Sequence, residues 1–156
     1  MVEPSTGSID ALIGGALPDL MPDARLTLAS IARDDRPAAG SYLMREGRPT
    51  LDLGLIVEGR LGVRDRIGTD DVTLMTLEPG DVFGWSAVLD GISTASIVAL
   101  DGARVLLFER VALLSAMAAD QVMAVVLYRR LLEAVASRLD ATRLLARDVY
   151  AGGSAS

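Results

Sequence analysis

Leu77-Glu-Pro-Gly-Asp-Val-Phe-Gly-Trp-Ser-Ala-Val-Leu-Asp-Gly-Ile-Ser-Thr-Ala-Ser-Ile-Val-Ala99 decides how the chain is read. Pro79-Gly80-Asp81 is turn chemistry, because proline presets one backbone angle and glycine is free to take a positive one. Gly84 lets the backbone pass close to another group. Trp85 to Leu89 then form a single helical turn whose free N–H groups would face outward, an arrangement that binds anions without a cationic side chain. Asp90-Gly91 ends the turn, and Ala95 to Ala99 is a buried strand.

Outward from this stretch the period is that of strands. Between Gly40 and Glu109, glycine turns recur at Glu46-Gly47, Glu58-Gly59, Ile67-Gly68 and Pro79-Gly80, the spacing of an all-β barrel or roll. The strands are Tyr42–Arg45, Asp52–Val57, Arg60–Asp65, Val72–Leu77, Ala95–Ala99 and Arg104–Phe108. Upstream, residues 1–7 are polar and read as disordered. Two short helices follow, one after Ser8 with Ile9, Leu12 and Ile13, the other after Asp23 with Leu26, Leu28 and Ile31, ended by Asp34-Asp35-Arg36-Pro37. They are expected to form a lid outside the core. Downstream, Arg110 to Met117 is a short helix, and Asp120 caps a long one. Residues 8–119 are thus the roll with its flanking helices, 120–150 the long helix and 151–156 a flexible tail. The fold class is mainly β, a double-stranded β-helix of jelly-roll type with N-terminal helices and a long C-terminal helix.

That helix carries Tyr128, Leu131, Val135, Arg138, Thr142, Leu145 and Val149 at spacings of three and four, a coiled-coil seam with two polar members. A homodimer through it is expected, with Leu132, Ala136 and Leu139 packing on the roll. The bland alternative is an amphipathic helix folded back on its own domain.

Composition removes whole classes of function. The 156 residues contain no cysteine and no histidine, which leaves no thiol nucleophile, imidazole base, disulfide or usual zinc site. The 21 acidic residues are scattered, so no enzyme is expected. A net charge of −6 argues against a nucleic-acid groove, which needs a basic face. No uncharged stretch approaches the roughly 20 residues of a membrane helix, and a signal peptide is not evident; a cytoplasmic protein without a membrane partner is the expectation.

With these pieces placed, the chain resembles the cyclic-nucleotide-binding domain of the catabolite-activator and protein-kinase-regulatory type. The resemblance rests on Glu46-Gly47, Glu58-Gly59, Pro79-Gly80-Asp81-Val82-Phe83-Gly84 and Ala95-Ser96-Ile97-Val98-Ala99. In that family the segment after Phe-Gly is a phosphate-binding cassette, where a glutamate takes the ribose hydroxyl and an arginine grips the cyclic phosphate. Here the glutamate position is Trp85 and the arginine position falls on Ser93 or Thr94. From Ile67 to Ala103, 37 residues, there is no lysine or arginine but six acids. Losing an arginine–phosphate pair should weaken binding roughly a hundredfold or more.

The resemblance makes Gly84, Trp85, Ser86, Ala87, Ser93 and Thr94 the candidate ligand residues. Ala136 to Arg143 resembles the long-helix segment of the bacterial activators, where a threonine contacts the adenine; Thr142 matches it, and Arg143 is the nearest candidate cation to the pocket mouth. The implied ligand is cyclic AMP or cyclic GMP, and no cofactor is certain. The leading expectation is a non-catalytic regulatory module, standalone and without the DNA-binding module of the activators, that binds cyclic AMP weakly or not at all. The alternatives are a sensor of a cyclic nucleotide or other small metabolite through backbone donors, and a scaffold for a regulated protein partner.

Overall fold

The computed structural model describes residues 6–153. Helix α1 (Thr6–Ala16) and helix α2 (Pro22–Ile31) precede eight strands, β1 (Ala32–Asp35), β2 (Tyr42–Met44), β3 (Asp52–Glu58), β4 (Leu61–Ile67), β5 (Asp70–Leu77), β6 (Val82–Phe83), β7 (Ser96–Ala99) and β8 (Arg104–Glu109). A 3-10 turn (Trp85–Val88) lies between β6 and β7, and α3 (Arg110–Ala119) and α4 (Gln121–Gly153) complete the order. The expectations for residues 1–5 and 154–156 lie outside the described residues. Helix α4 extends through Gly153, into the stretch read as a tail.

Two antiparallel four-stranded sheets form the roll, in the orders β1-β8-β3-β6 and β2-β7-β4-β5. The jelly-roll expectation holds. The first sheet is buried on both faces, which explains the nearly continuous apolar runs of β3 and β8. Leu53 pairs with Phe108 and Leu55 with Leu106 on one face, and Gly54 with Leu107 and Ile56 with Val105 on the other. The first set packs against the helices, while Ile56, Val105 and Leu107 join Leu61, Val63, Phe83 and Ile97 inside the roll. Gly54 is required here, since a Cβ would overlap the Phe83 ring.

Three readings change. The N-terminal helices are core, not a lid: Ile9, Ile13, Leu17, Ala24 and Leu28 are buried with Leu53, Leu55 and Leu106. An apolar face of the first sheet has to be covered, and these helices cover it. Second, the segment read as a helix breaker forms β1, with Ala32 to Asp35 pairing Phe108 to Val105. Asp34 accepts two hydrogen bonds from Arg104, at 3.0 and 2.8 Å, so this acid of the edge strand has a cross-strand partner, while Asp35 Oδ1 accepts from Arg36 N at 2.9 Å.

Third, α4 is rotated from the expected orientation. Met123, Ala124, Leu127 and Leu131 are buried in the helix-side core, and Arg138 points to the roll. Leu132 and Leu139, expected against the roll, are 68% and 50% exposed. The helix starts as read, with Asp120 Oδ1 accepting a hydrogen bond from Met123 N at 3.0 Å, a cap that satisfies one orphan donor.

Candidate functional site

The turn before the site has the geometry its residues call for. Asp81 N donates to Glu78 O at 3.0 Å, with Pro79 second and Gly80 third at φ +94°, a type II turn. Two residues of β6 follow, and Gly84 then takes φ +80°. A Cβ on Gly84 would lie 2.6 Å from Asp52 O, so the close approach read from the sequence is to the β3 backbone.

Beyond Gly84, Ala87 N donates to Gly84 O at 3.0 Å, and Leu89 N and Gly91 N both donate to Ser86 O. Ser86 and Ala87 are buried. Arg110, at the start of α3, donates from Nε to Ala87 O at 2.8 Å and from NH2 to Leu89 O at 3.0 Å. This cation satisfies carbonyls behind the turn and fixes its orientation. Sequence reasoning missed it, because nothing in an Arg110 that opens a helix points 23 residues upstream.

The two candidate arginine positions fall on opposite sides of the chain. Ser93 is 2% exposed, and its hydroxyl shares a 2.7 Å hydrogen bond with that of Thr50. Its backbone pairs with Gly47 and Arg48, so Ser93 ties the cassette to the β2–β3 connection. Thr94 is exposed and faces α4, where Arg138 NH1 donates to Thr94 Oγ1 at 2.7 Å and NH2 to Thr94 O at 3.1 Å.

Arg138 is therefore the cation at the cassette. Its side chain is only 14% exposed, with Asp65 Oδ2 3.7 Å away and the guanidinium 5.1 Å from the centre of the Trp85 ring. Burial pulls its pKa below the ordinary arginine value, while Asp65 and Glu46 hold it up. Arginine still remains charged throughout the physiological range. The gap left among Met44, Gly84, Trp85, Ser86, Thr94 and Arg138 is about 20 Å³.

Of the eight candidate residues, Gly84, Trp85, Ser86 and Thr94 converge on this gap. Ala87 and Ser93 stand behind it in packing and tethering roles. Thr142 is exposed one turn further along α4, its hydroxyl donating to Arg138 O at 3.0 Å, and Arg143 is exposed as well.

A larger cavity of about 280 Å³ lies between α4 and the second sheet and is continuous with the gap, sharing Val63, Trp85, Ile97 and Arg138 with it. Its floor is Val63, Met75, Leu77 and Ile97, and Arg130 and Glu133 stand on the helix side. Arg130 NH2 donates to Gly80 O at 2.6 Å and NH1 to Glu133 Oε2 at 3.1 Å. Among the described residues no cluster of acidic side chains could hold a metal ion, and no helix is long and apolar enough to cross a membrane.

The model of the family described as "Cyclic nucleotide-binding domain" matches residues 36–120. No curated protein matches. Among solved structures, a cyclic nucleotide-binding domain from Methylobacillus flagellatus superposes with a TM-score of 0.78 at 21% identity, over 91% of this chain and 85% of that one. The regulatory domain of Toxoplasma gondii PKA with cAMP gives 0.69 at 18% identity, over 80% and 49%. The regulatory subunit of a cAMP-independent protein kinase A from Trypanosoma brucei gives 0.70 at 20% identity, over 80% and 46%. The chain thus spans about half the length of each kinase chain, and at these identities the likeness is one of fold.

Proposed function

The chain belongs to the cyclic nucleotide-binding domain family, and from that premise we propose that it is a non-catalytic regulatory module whose cassette has lost its phosphate grip and binds cyclic AMP weakly or not at all. The fold by itself decides nothing about binding, since one similar structure carries cAMP and another is called cAMP-independent. The observation that carries the reading is Arg138, lodged against the cassette where a ligand would sit.

Three features support it. Trp85, at the family's ribose-acceptor position, offers one donor and no carboxylate. Thr94, at the arginine position, is spent on Arg138. A cyclic phosphate entering the 20 Å³ gap would have to break the Arg138 bonds to Thr94, each about 1.5–3 kcal/mol for a charged donor. A second reading has its own observation: a phosphate that took the place of Asp65 beside Arg138 would meet a cation there. One titration separates the two. Calorimetry of the wild-type chain with cyclic AMP and cyclic GMP up to millimolar concentration should give dissociation constants no better than about 100 μM, about −5.5 kcal/mol. A sub-micromolar complex overturns the proposal and favours a sensor built on Arg138.

The exposed face of α4 supports a homodimer. Val125, Tyr128, Leu132, Val135, Leu139, Thr142, Ala146 and Val149 are all exposed and alternate at three and four residues, an unbroken heptad stripe. A second copy would cover an apolar surface that a monomer leaves in water.

A further inference from the structure

Exposed apolar side chains gather where the β2–β3 connection, the far end of the 3-10 segment and the start of α3 meet. Leu51 and Val111 are each 70% exposed, Leu89 63% and Ile92 44%, and Pro49 is exposed beside them. The backbone joins them. Pro49 bridges Ile92, Arg110 N donates to Leu51 O at 2.9 Å, and Arg110 NH2 holds Leu89 O, which puts Val111 next in line. None of the five lines the cassette gap or the cavity under α4. Single exposed apolar residues are ordinary, whereas a joined group marks a contact surface.

From Val111 the face continues along α3. Ser115 and Ala118 follow at four and three residues, on the same side of the helix, and both are exposed. Residues 111–119 contain no charged side chain. Residues as small as Ser115 and Ala118 let a second helix approach to about 8 Å between axes.

The backbone of this face is already spent. Thr50 N donates to Gly91 O, Ser93 N to Arg48 O, and Leu89 N and Gly91 N to Ser86 O. No strand edge is left to extend, so a partner has to dock through side chains, as an amphipathic helix does. The surrounding charges narrow its chemistry. Arg33 pairs with Asp52 at 3.1 Å, Asp90 accepts from Ile92 N, Glu109 accepts from Val111 N and Ala112 N, and Arg110 holds carbonyls. With Arg48 the cations match the carboxylates in number, which leaves no net field for a polyanion, an anionic lipid surface or a basic segment. Arg48, next to Pro49, is the one member of this set whose side chain has no partner among the described residues. A second copy fits poorly, because the α4 stripe already offers a closed seam and another self-complementary face would link dimers into open chains.

We propose that this face docks an amphipathic helix of a partner protein, apolar where it meets Leu51, Leu89, Ile92 and Val111, with one carboxylate at its edge for Arg48. Of the functional reading above, only the α4 homodimer enters, in setting aside a second copy.

The test is fluorescence anisotropy of the full chain with three labelled synthetic peptides of about five helical turns. One carries a leucine face flanked by a single glutamate, the second has glutamine in that place, and the third scrambles the first so that no apolar face forms. The first should bind with a dissociation constant below about 300 μM, and the scrambled peptide about tenfold more weakly. Leu89→Glu and Val111→Glu, both at exposed positions, should melt like wild type and each weaken the first peptide about tenfold. Leu132→Glu, on the α4 stripe, should bind it as wild type does. Arg48→Gln should weaken the glutamate peptide about threefold and leave the glutamine peptide unchanged. The inference is overturned if the first peptide misses that limit, if scrambling has no effect, if Leu89→Glu and Val111→Glu bind like wild type, or if Arg48→Gln treats the two peptides alike. It is also overturned if Val111→Glu lowers the assembly mass in sedimentation, which makes the face a self-contact. Phosphatidylcholine vesicles that hold the wild type but not Val111→Glu overturn it as well, by making the face a lipid surface. A monomeric wild type that binds the first peptide sinks the homodimer reading and supports the docking face.

Discussion

Putting back the two missing cassette groups should convert this chain into a cyclic AMP binder, and the structure selects the substitutions. Ser93 is buried against Thr50 and has no room for an arginine, whereas Thr94 is exposed at the cassette mouth. The perturbation is therefore Trp85→Glu with Thr94→Arg. A new arginine that takes the phosphate with two charged hydrogen bonds contributes about 3–6 kcal/mol. Against this, Arg138 loses its bond to Thr94 Oγ1 and gains a like charge nearby; two charges about 5 Å apart repel by roughly 3 kcal/mol at an effective dielectric near 20. The new glutamate offsets most of that, because the Trp85 ring it replaces lies 5.1 Å from the Arg138 guanidinium. The net gain is about 2–4 kcal/mol, or roughly 30- to 700-fold in affinity. Calorimetry at low and high salt is the assay, and the gain should shrink as salt rises. Trp85→Glu alone should gain little, since it adds no cation. A double variant that melts like wild type yet shows no improvement at millimolar cyclic AMP would refute the reasoning.

Two further outcomes check the structure directly. Leu132→Glu places a charge in the middle of the exposed α4 stripe and should turn a dimer into a monomer in solution scattering, while Leu145→Glu, on its flank, should do less; a monomeric wild type, or a Leu132→Glu chain that stays dimeric, would rule out this seam. The Asp34–Arg104 pair is the other. The hydrogen bonds from Arg104 hold the Asp34 carboxyl below its ordinary pKa, so its contribution is fully present above about pH 4, the unfolded value, and is lost as pH falls through the lower folded value. Asp34→Asn should cost about 1–2 kcal/mol at pH 7, lowering the melting temperature by roughly 2–8 °C, and the gap to wild type should narrow below pH 4. A gap that stays constant from pH 7 to pH 3 would refute it.

The roll was legible in the sequence because its signals are local. Glycine turns at Gly59 and Gly80 and the alternation in Val72 to Leu77 need no knowledge of the rest of the fold. Strand β1 was hidden because Ala-Arg-Asp-Asp carries almost no apolar signal: it is an edge strand whose Asp34 finds Arg104, 70 residues away. The α1–α2 pair was underrated for a related reason. Short helices at a chain end resemble a cover, and only the pairing of β3 with β8 shows that Leu53, Leu55, Leu106 and Phe108 form an apolar face that those helices must close.

The site was half legible, and the missing half follows from helix geometry. Residues at three- and four-residue spacing can be traced along α4 in two overlapping ways, through Leu131 and Arg138 or through Leu132 and Leu139, and the two series lie about 100° apart around the helix. Composition favours the second as the buried one, because both contain leucine and only the first contains a charge. The charge misleads: arginine looks like a surface residue, yet its stem can lie along apolar surface and its head can be held by fixed partners. Here Thr94, Asp65 and the Trp85 face supply those partners, all from the roll and all more than 40 residues away in sequence. On the proposed reading, the segment from Gly84 to Ala95, which carries no arginine of its own, meets one from α4, and removing it should expose the difference. Arg138→Met keeps the stem and deletes the charge, so it should open the 20 Å³ gap without restoring cyclic AMP binding, since the phosphate would then face Asp65 with no cation in between.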